Sequence, residues 1–232
     1  MCHGLTDPGL DTIANCMSIL NRECLADGRF RAGLAQHGPL AWSHEQVEQS
    51  FAQAWADRPS GPLWVFGYGS LIWNPMMPFD EHCNATLRGW HRSFCLRSIS
   101  GRGTPAQPGR MLSLQAGGQV DGVALRVPAD TCEQELRLLW TREMSSGTYV
   151  PLWHALELAD GREAMAIVFV ANAAHAQHDS DDTPATAAAA IASAQGAFGP
   201  NIDYLLRLHH AMAARGINDP YIEAVVAQTH AR

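Results

Sequence analysis

From residue 63 to residue 170 the sequence is a series of short apolar stretches separated by glycine-punctuated turns. This pattern narrows the possible folds more than any other feature. Residues 63–66 (Leu-Trp-Val-Phe) are an unbroken apolar run, as expected of a strand buried on both faces. Residues 85–99 read as a strand pair or one long strand bent at Gly89. Residues 110–115 and 119–127 read as strands joined at Gly117-Gly118, a hairpin signal. A second hairpin is expected for residues 153–158 and 162–170 about Asp160-Gly161, residues that tolerate the positive φ of a type I′ turn. Strands first, helices last and hairpin connections predict an α+β fold with a mainly antiparallel sheet.

Helices flank this region. Ile13, Cys16, Met17, Leu20 and Cys24 recur at helical spacing, with Gly28 placed to stop the element. Ser43 and Gln46 form a capping-box pattern ahead of the stripe Val47, Phe51, Ala54 and Trp55. Arg58-Pro59-Ser60-Gly61-Pro62 then breaks the pattern, so residues 1–60 read as a helical extension and 61–232 as the principal domain. The extension is expected to pack over the sheet and to stay clear of the active site. Within the domain, Asp130 and Glu133 are placed to cap a helix over 131–144. Thr183-Pro184 opens an Ala-rich helix, Asn201 can cap 202–215 with Gly216 ending it, and Asp219-Pro220 opens a last helix.

Charge and composition exclude several classes of function. The formal charge is −7, which argues against nucleic-acid binding and a polybasic membrane anchor. All 16 basic residues are Arg, so lysine Schiff-base chemistry and a P-loop lysine are excluded. The six cysteines lack C-x-x-C spacing, and His175 and His178 lack a third ligand, so no metal site or metal cofactor is expected. The N-terminus carries no signal-peptide pattern and no apolar run could span a bilayer. A cytoplasmic protein is expected.

Two features carry chemistry. On the 131–144 helix Cys132, Leu136, Leu139 and Trp140 fall on one face, and Glu143 lies within that stripe, while Glu135, Arg137 and Arg142 point elsewhere. A carboxylate there would have its pKa raised by burial, as a general base near neutral pH requires. The plainer reading is that the helix frays at Ser145-Ser146-Gly147 and Glu143 reaches water. The second feature is the turn Gly67-Tyr68-Gly69-Ser70, whose backbone N–H groups could hold an anion or an oxyanion. Its plainer reading is a tight turn closing a small barrel.

Taken together these segments resemble the ChaC-type γ-glutamylcyclotransferases. The resemblance rests on residues 64–75 (WVFGYGSLIWNP), on Arg102-Gly103-Thr104-Pro105 with Pro108-Gly109-Arg110, and on Arg142-Glu143-Met144 followed by Gly147 and Tyr149. A weaker match is Asn201-Ile202-Asp203-Tyr204-Leu205. The resemblance implies a small β-barrel flanked by helices, and cleavage of glutathione to 5-oxoproline and Cys-Gly without a cofactor. It implies Glu143 as catalytic base and acid, with Gly67, Tyr68, Gly69, Ser70, Leu71 and Ile72 around the substrate. Tyr149 and Tyr204 are further substrate-binding candidates, and Arg97, Arg102 and Arg110 are candidate carboxylate partners that structural ion pairs would explain equally well. The loop after Glu143 is longer than in shorter members. Two other readings stay open at this point: a cyclotransferase for other γ-glutamyl amines or amino acids, and a γ-glutamyl-binding module without turnover.

Overall fold

The computed structural model describes residues 21–35 and 42–230. The expected helical stripe Ile13–Leu20 lies outside the described residues; its last member, Cys24, is buried in a short helix α1 (Arg22–Ala26). A second short helix, α2, is Arg29–Ala35, and α3 is His44–Ala56. The capping box at Ser43 forms as the sequence indicates: Gln46 N–H donates to Ser43 Oγ, and Gln46 Oε1 accepts from Ser43 N–H. The buried stripe of α3, Val47 and Phe51, faces the next helix, where Phe51 meets Trp140 edge to face at 5.7 Å.

The core is a closed barrel in the order β1-β3-β2-β4-β5. Strand β1 is Trp64–Gly67, β2 Glu81–Ser98, β3 Gly109–Arg126, β4 Tyr149–Leu158 and β5 Glu163–Ala171. All β1 residues are buried because β1 has a neighbour on each side: β3 antiparallel and β5 parallel. That single parallel pairing closes the barrel.

Two turn expectations are corrected. Residues 110–127 are not a hairpin; β3 runs through Gly117 and Gly118 as one strand paired with β2 along its length. Between the pairs Arg88–Gln119 and Trp90–Ala116, two residues of β3 oppose Gly89 alone, which is a bulge. All three glycines take positive φ there, so they bend the ribbon without reversing the chain. The β4–β5 hairpin does form at Asp160-Gly161. Only Gly161 has positive φ, so the connection is a three-residue loop with glycine in the left-handed position and not a type I′ turn.

Helix α4 (Cys132–Met144) packs Leu136, Leu139, Trp140 and Met144 into the core. Its capping box does not form, because Thr131 occupies the cap position and Glu133 pairs with Arg137. Helix α5 (Pro184–Ser193) is capped by the Thr183 hydroxyl, as expected. A small ribbon, β6 (Gln195–Gly196) with β7 (Gly199–Pro200), leads to α6 (Asn201–Ala213). Asn201 does not cap α6. Its side chain accepts from Arg110 N–H at 2.6 Å and donates to Arg110 O at 3.0 Å, tying the helix to β3. Gly216 ends the segment at positive φ, and Asp219 Oδ1 caps α7 (Pro220–His230).

Candidate active site

Beyond Gly67 the chain turns through Tyr68 and Gly69 into a single 3₁₀ turn, Ser70–Ile72. The turn is closed internally: Ile72 N–H bonds Gly69 O at 3.0 Å, and Asn74 N–H bonds Ser70 O at 2.9 Å. The N–H groups of Gly69, Ser70 and Leu71 find no acceptor among the described residues, and all three residues line one cavity of about 260 Å³. Ile72 N–H is therefore unavailable to a ligand, and neither Ile72 nor Gly67 lines the cavity. Gly67 packs closely: a Cβ there would lie 3.1 Å from that of Leu71.

Buried Arg92 anchors this turn from behind. It donates to Tyr68 O at 2.8 Å and Asp121 O at 2.6 Å, and pairs with Asp219 at 3.0 Å. Such a residue is costly to bury unless it is paired and hydrogen-bonded, and here each of its three nitrogens makes a contact.

Glu143 lines the same cavity, at the C-terminal end of α4. Its side chain is 14% exposed, and its Oε1 is buried without a hydrogen bond, 3.1 Å from Arg142 Nε. Burial pushes its pKa above the ordinary glutamate value, and the Arg142 charge opposes that rise. No other carboxylate appears among the described lining residues. The fraying reading of Glu143 fails because residues 144–148 continue in buried or half-buried structure.

Arg142 lines the cavity as well and is nearly buried. It donates to Ser70 Oγ at 2.6 Å and to Asn74 O at 2.7 Å, so one guanidinium connects the amide turn to the carboxylate. Periodicity left Arg142 off the stripe because it is 100° from Glu143, but its long side chain reaches across that angle. Glu135 also differs from expectation: it is buried against Arg22.

Three tyrosines surround the carboxylate, and burial raises the pKa of each, so all are neutral phenols at neutral pH. The Tyr68 hydroxyl donates to Phe169 O at 2.6 Å, and the Tyr149 hydroxyl donates to Leu112 O at 3.3 Å. Tyr204 differs. Its hydroxyl has no hydrogen-bond partner among the described residues and lies against Gly69, 3.1 Å from the place a Cβ would occupy.

The arginines divide into two groups. Arg97 and Arg102 line the cavity; Arg97 pairs with Asp179 at 2.9 Å, and Arg102 donates to Pro200 O at 3.1 Å. Arg110 does not reach the cavity. It is buried and pairs with Asp179 at 2.8 Å, so its role is to fix the 179–181 loop. Arg207, which sequence reasoning missed, also lines the cavity and is exposed, with no ion pair among the described residues. It sits one turn along α6 from Tyr204, a proximity that reading for catalytic motifs does not reveal. Phe30 from α2 and Phe198 complete the lining. The expectation that residues 1–60 stay clear of this cavity is thus not met.

Residues 63–232 match the family model described as ChaC-like protein. The chain belongs to the ChaC-like family. Among relatives of this ChaC-like chain, the glutathione-specific gamma-glutamylcyclotransferase of Escherichia coli K12 is 51% identical over 181 residues, covering 78% of each protein. Gamma-glutamylcyclotransferase 2-3 of Arabidopsis thaliana is 30% identical over 174 residues, covering 72% of this chain and 87% of that one. The fold is shared with the crystal structure of a glutathione-specific γ-glutamyl cyclotransferase from yeast. The TM-score there is 0.66 at 22% identity, over 75% of this chain and 99% of that one. The α+β barrel with flanking helices is therefore the family's fold. No helix among the described residues is long and apolar enough to cross a membrane, and no cluster of three metal-ligating side chains occurs among them.

Proposed function

We propose that this chain is a γ-glutamylcyclotransferase that cleaves glutathione to 5-oxoproline and Cys-Gly, with Glu143 as the group that moves the proton. The 51% identity to a glutathione-specific relative supports the substrate. The observation that carries the chemistry is a buried carboxylate facing the same cavity as three backbone N–H groups without acceptors.

The reaction is an internal transamidation. The α-amine attacks the γ-carbonyl, a C–N bond closes the five-membered lactam, and the γ-amide C–N bond breaks. Nucleophile and electrophile are tethered, so selecting the cyclising conformer supplies much of the acceleration. The α-ammonium loses two protons as it becomes the lactam N–H: Glu143 takes one before attack and passes it to the departing Cys-Gly nitrogen, and the second ends on the released amine as it becomes an ammonium. No water is consumed, and one base serves both steps. Its raised pKa keeps it close to the pH at which it must both accept and donate. Amides of Gly69, Ser70 and Leu71 receive the oxyanion or the glutamyl carboxylate, and Arg142 holds Ser70 and Glu143 in register.

Four arginines line the cavity; Arg97 pairs with Asp179 and Arg142 with Glu143, while Arg207 has no ion pair among the described residues and suits a carboxylate of the substrate. Cys83, Cys95 and Cys132 are free thiols, which fits the reducing cytoplasm, where we place the reaction. We take residues 61–232 as the catalytic unit and residues 1–60 as its extension. The test is product stoichiometry. Purified protein with millimolar glutathione should release 5-oxoproline and Cys-Gly in equal amounts and act far more slowly on γ-glutamyl-alanine. Faster turnover of γ-glutamyl-alanine would make the chain a cyclotransferase for γ-glutamyl amino acids. No turnover of either would leave a binding module.

A further inference from the structure

Residues ahead of the ChaC-like segment make contacts that such a segment could not make alone. Arg22 of α1 grips buried Glu135 of α4 with two nitrogens, each at 2.5 Å. From α2, Arg31 donates to Ser145 Oγ at 3.2 Å and to Trp42 O at 2.7 Å. Trp42 N–H in turn donates to Ser145 O at 2.7 Å. The Trp42 indole lies flush on Gly147, whose φ is +72°; any Cβ there would overlap the ring. Ser145 and Gly147 bracket Ser146, and Ser146 and Thr148 line the cavity just after Glu143. Phe30 of α2 is buried and lines the cavity, in a cluster with Cys24 and Leu25 against which Phe198 packs.

We propose that this N-terminal segment completes the active site: Phe30 walls the part of the cavity that takes the side chain of the leaving dipeptide, and Arg31 and Trp42 position the loop that follows Glu143. The inference rests on the cyclotransferase reading above. The chemistry of the substrate selects the occupant of the wall. The glutamyl end of glutathione carries an ammonium and a carboxylate, and the glycine end a second carboxylate. The glutamyl methylenes are held between that ammonium and the reacting carbonyl, and within the leaving dipeptide the cysteine CH₂–SH is the one apolar side chain, the group that prefers two phenyl rings over water. Phe30 is then a specificity-determining residue, and Arg31 and Trp42 are positioning residues that touch no reacting atom.

Clamping the loop also controls hydration of the carboxylate. Glu143 faces Arg142 on its own helix, Tyr68 beyond β1, Tyr149 at the start of β4 and Tyr204 on α6. Of these only Arg142 is charged at neutral pH, so loss of the clamp acts on Glu143 mainly by admitting water. That moves its pKa down toward the ordinary value.

The experiment compares wild type with Phe30→Ala, Phe30→Leu and Trp42→Ala, using glutathione and γ-glutamyl-glycyl-glycine, which lacks the side chain. The ratio of kcat/KM for the two substrates should fall about tenfold in Phe30→Ala and by less in Phe30→Leu, which keeps an apolar contact. Trp42→Ala should shift the acid limb of kcat/KM to lower pH and speed amide hydrogen exchange at residues 146–148. An unchanged ratio in whichever Phe30 variant folds overturns the wall. An unmoved acid limb with unchanged exchange overturns the clamp. Wild type inactive on both substrates would sink the cyclotransferase reading itself, while hydrogen exchange in Trp42→Ala would still decide whether the clamp exists.

Discussion

Glu143→Gln should separate catalysis from stability in opposite directions. Glutamine keeps the shape, and its carbonyl can take the place of Glu143 Oε1, 3.1 Å from Arg142 Nε. Arg142 also keeps Ser70 Oγ and Asn74 O, so the amide turn should stay in place. Glutathione should therefore bind with a KM within about threefold of wild type, well under one factor of ten per 1.4 kcal/mol. What is lost is the proton acceptor. A positioned general base contributes about 10²–10⁴ in rate. Glu143 is the only carboxylate among the described lining residues, so nothing can replace it and kcat should fall toward the larger figure. The stability sign follows from the raised pKa of the wild-type carboxylate. In the window between the ordinary value of 4.5 and the raised folded value, the native state binds more protons than the unfolded state. Wild-type stability thus falls as pH rises through that window, and the cost is fully present above it. Glutamine has no such cost. The variant should melt higher than wild type at pH 7, and the difference should shrink as pH falls through that window and be gone below 4.5. Product formation at saturating glutathione and thermal melts at several pH values test both halves. Activity within tenfold of wild type would refute the assignment of the base; a variant that melts lower at pH 7 would refute the account of the buried charge.

Three further perturbations follow from the same geometry. Arg22→Gln strands the buried Glu135 carboxylate; because Arg22 is itself 44% exposed, solvent screens the pair, and urea unfolding should show a loss of about 1–3 kcal/mol, against no change if the contact is incidental. Asn201→Ala removes two buried bonds to the Arg110 backbone and should cost about 2–3 kcal/mol in the same assay, a loss under 0.5 kcal/mol counting against its role as a tie between β3 and α6. Arg207→Gln should raise KM for glutathione up to about fivefold with kcat little changed, as expected for an exposed cation meeting a carboxylate, and the effect should fade with added salt. A KM equal to wild type at low ionic strength would remove Arg207 from substrate binding.

Features that depend on neighbours in the chain were legible from sequence. The Ser43 capping box, the Thr183-Pro184 helix start and the β4–β5 reversal at Asp160-Gly161 each involve residues within a few positions of one another. Their hydrogen bonds close locally, so residue type and spacing nearly determine them. Helical period put Glu143 on the apolar stripe, but it left open whether the helix frays there and the carboxylate reaches water. Gly117-Gly118 shows where such reasoning stops. Positive φ was foreseeable there, but whether it reverses or bends the strand depends on Gly89 lying opposite, 28 residues earlier in the chain. Asn201 has the right type for a cap and is instead held by Arg110, 91 residues away. Arg142 needed the 70–74 turn as a partner before its inward direction made sense. The wall at Phe30 needed α2 to be set against the ribbon that carries Phe198. By itself the sequence determined most of the elements, the β4–β5 reversal and the residue types that meet at the cavity. Tertiary structure decided which amides are left without acceptors, which arginines serve the cavity and which residues close it, because those depend on distances between segments that no local period encodes.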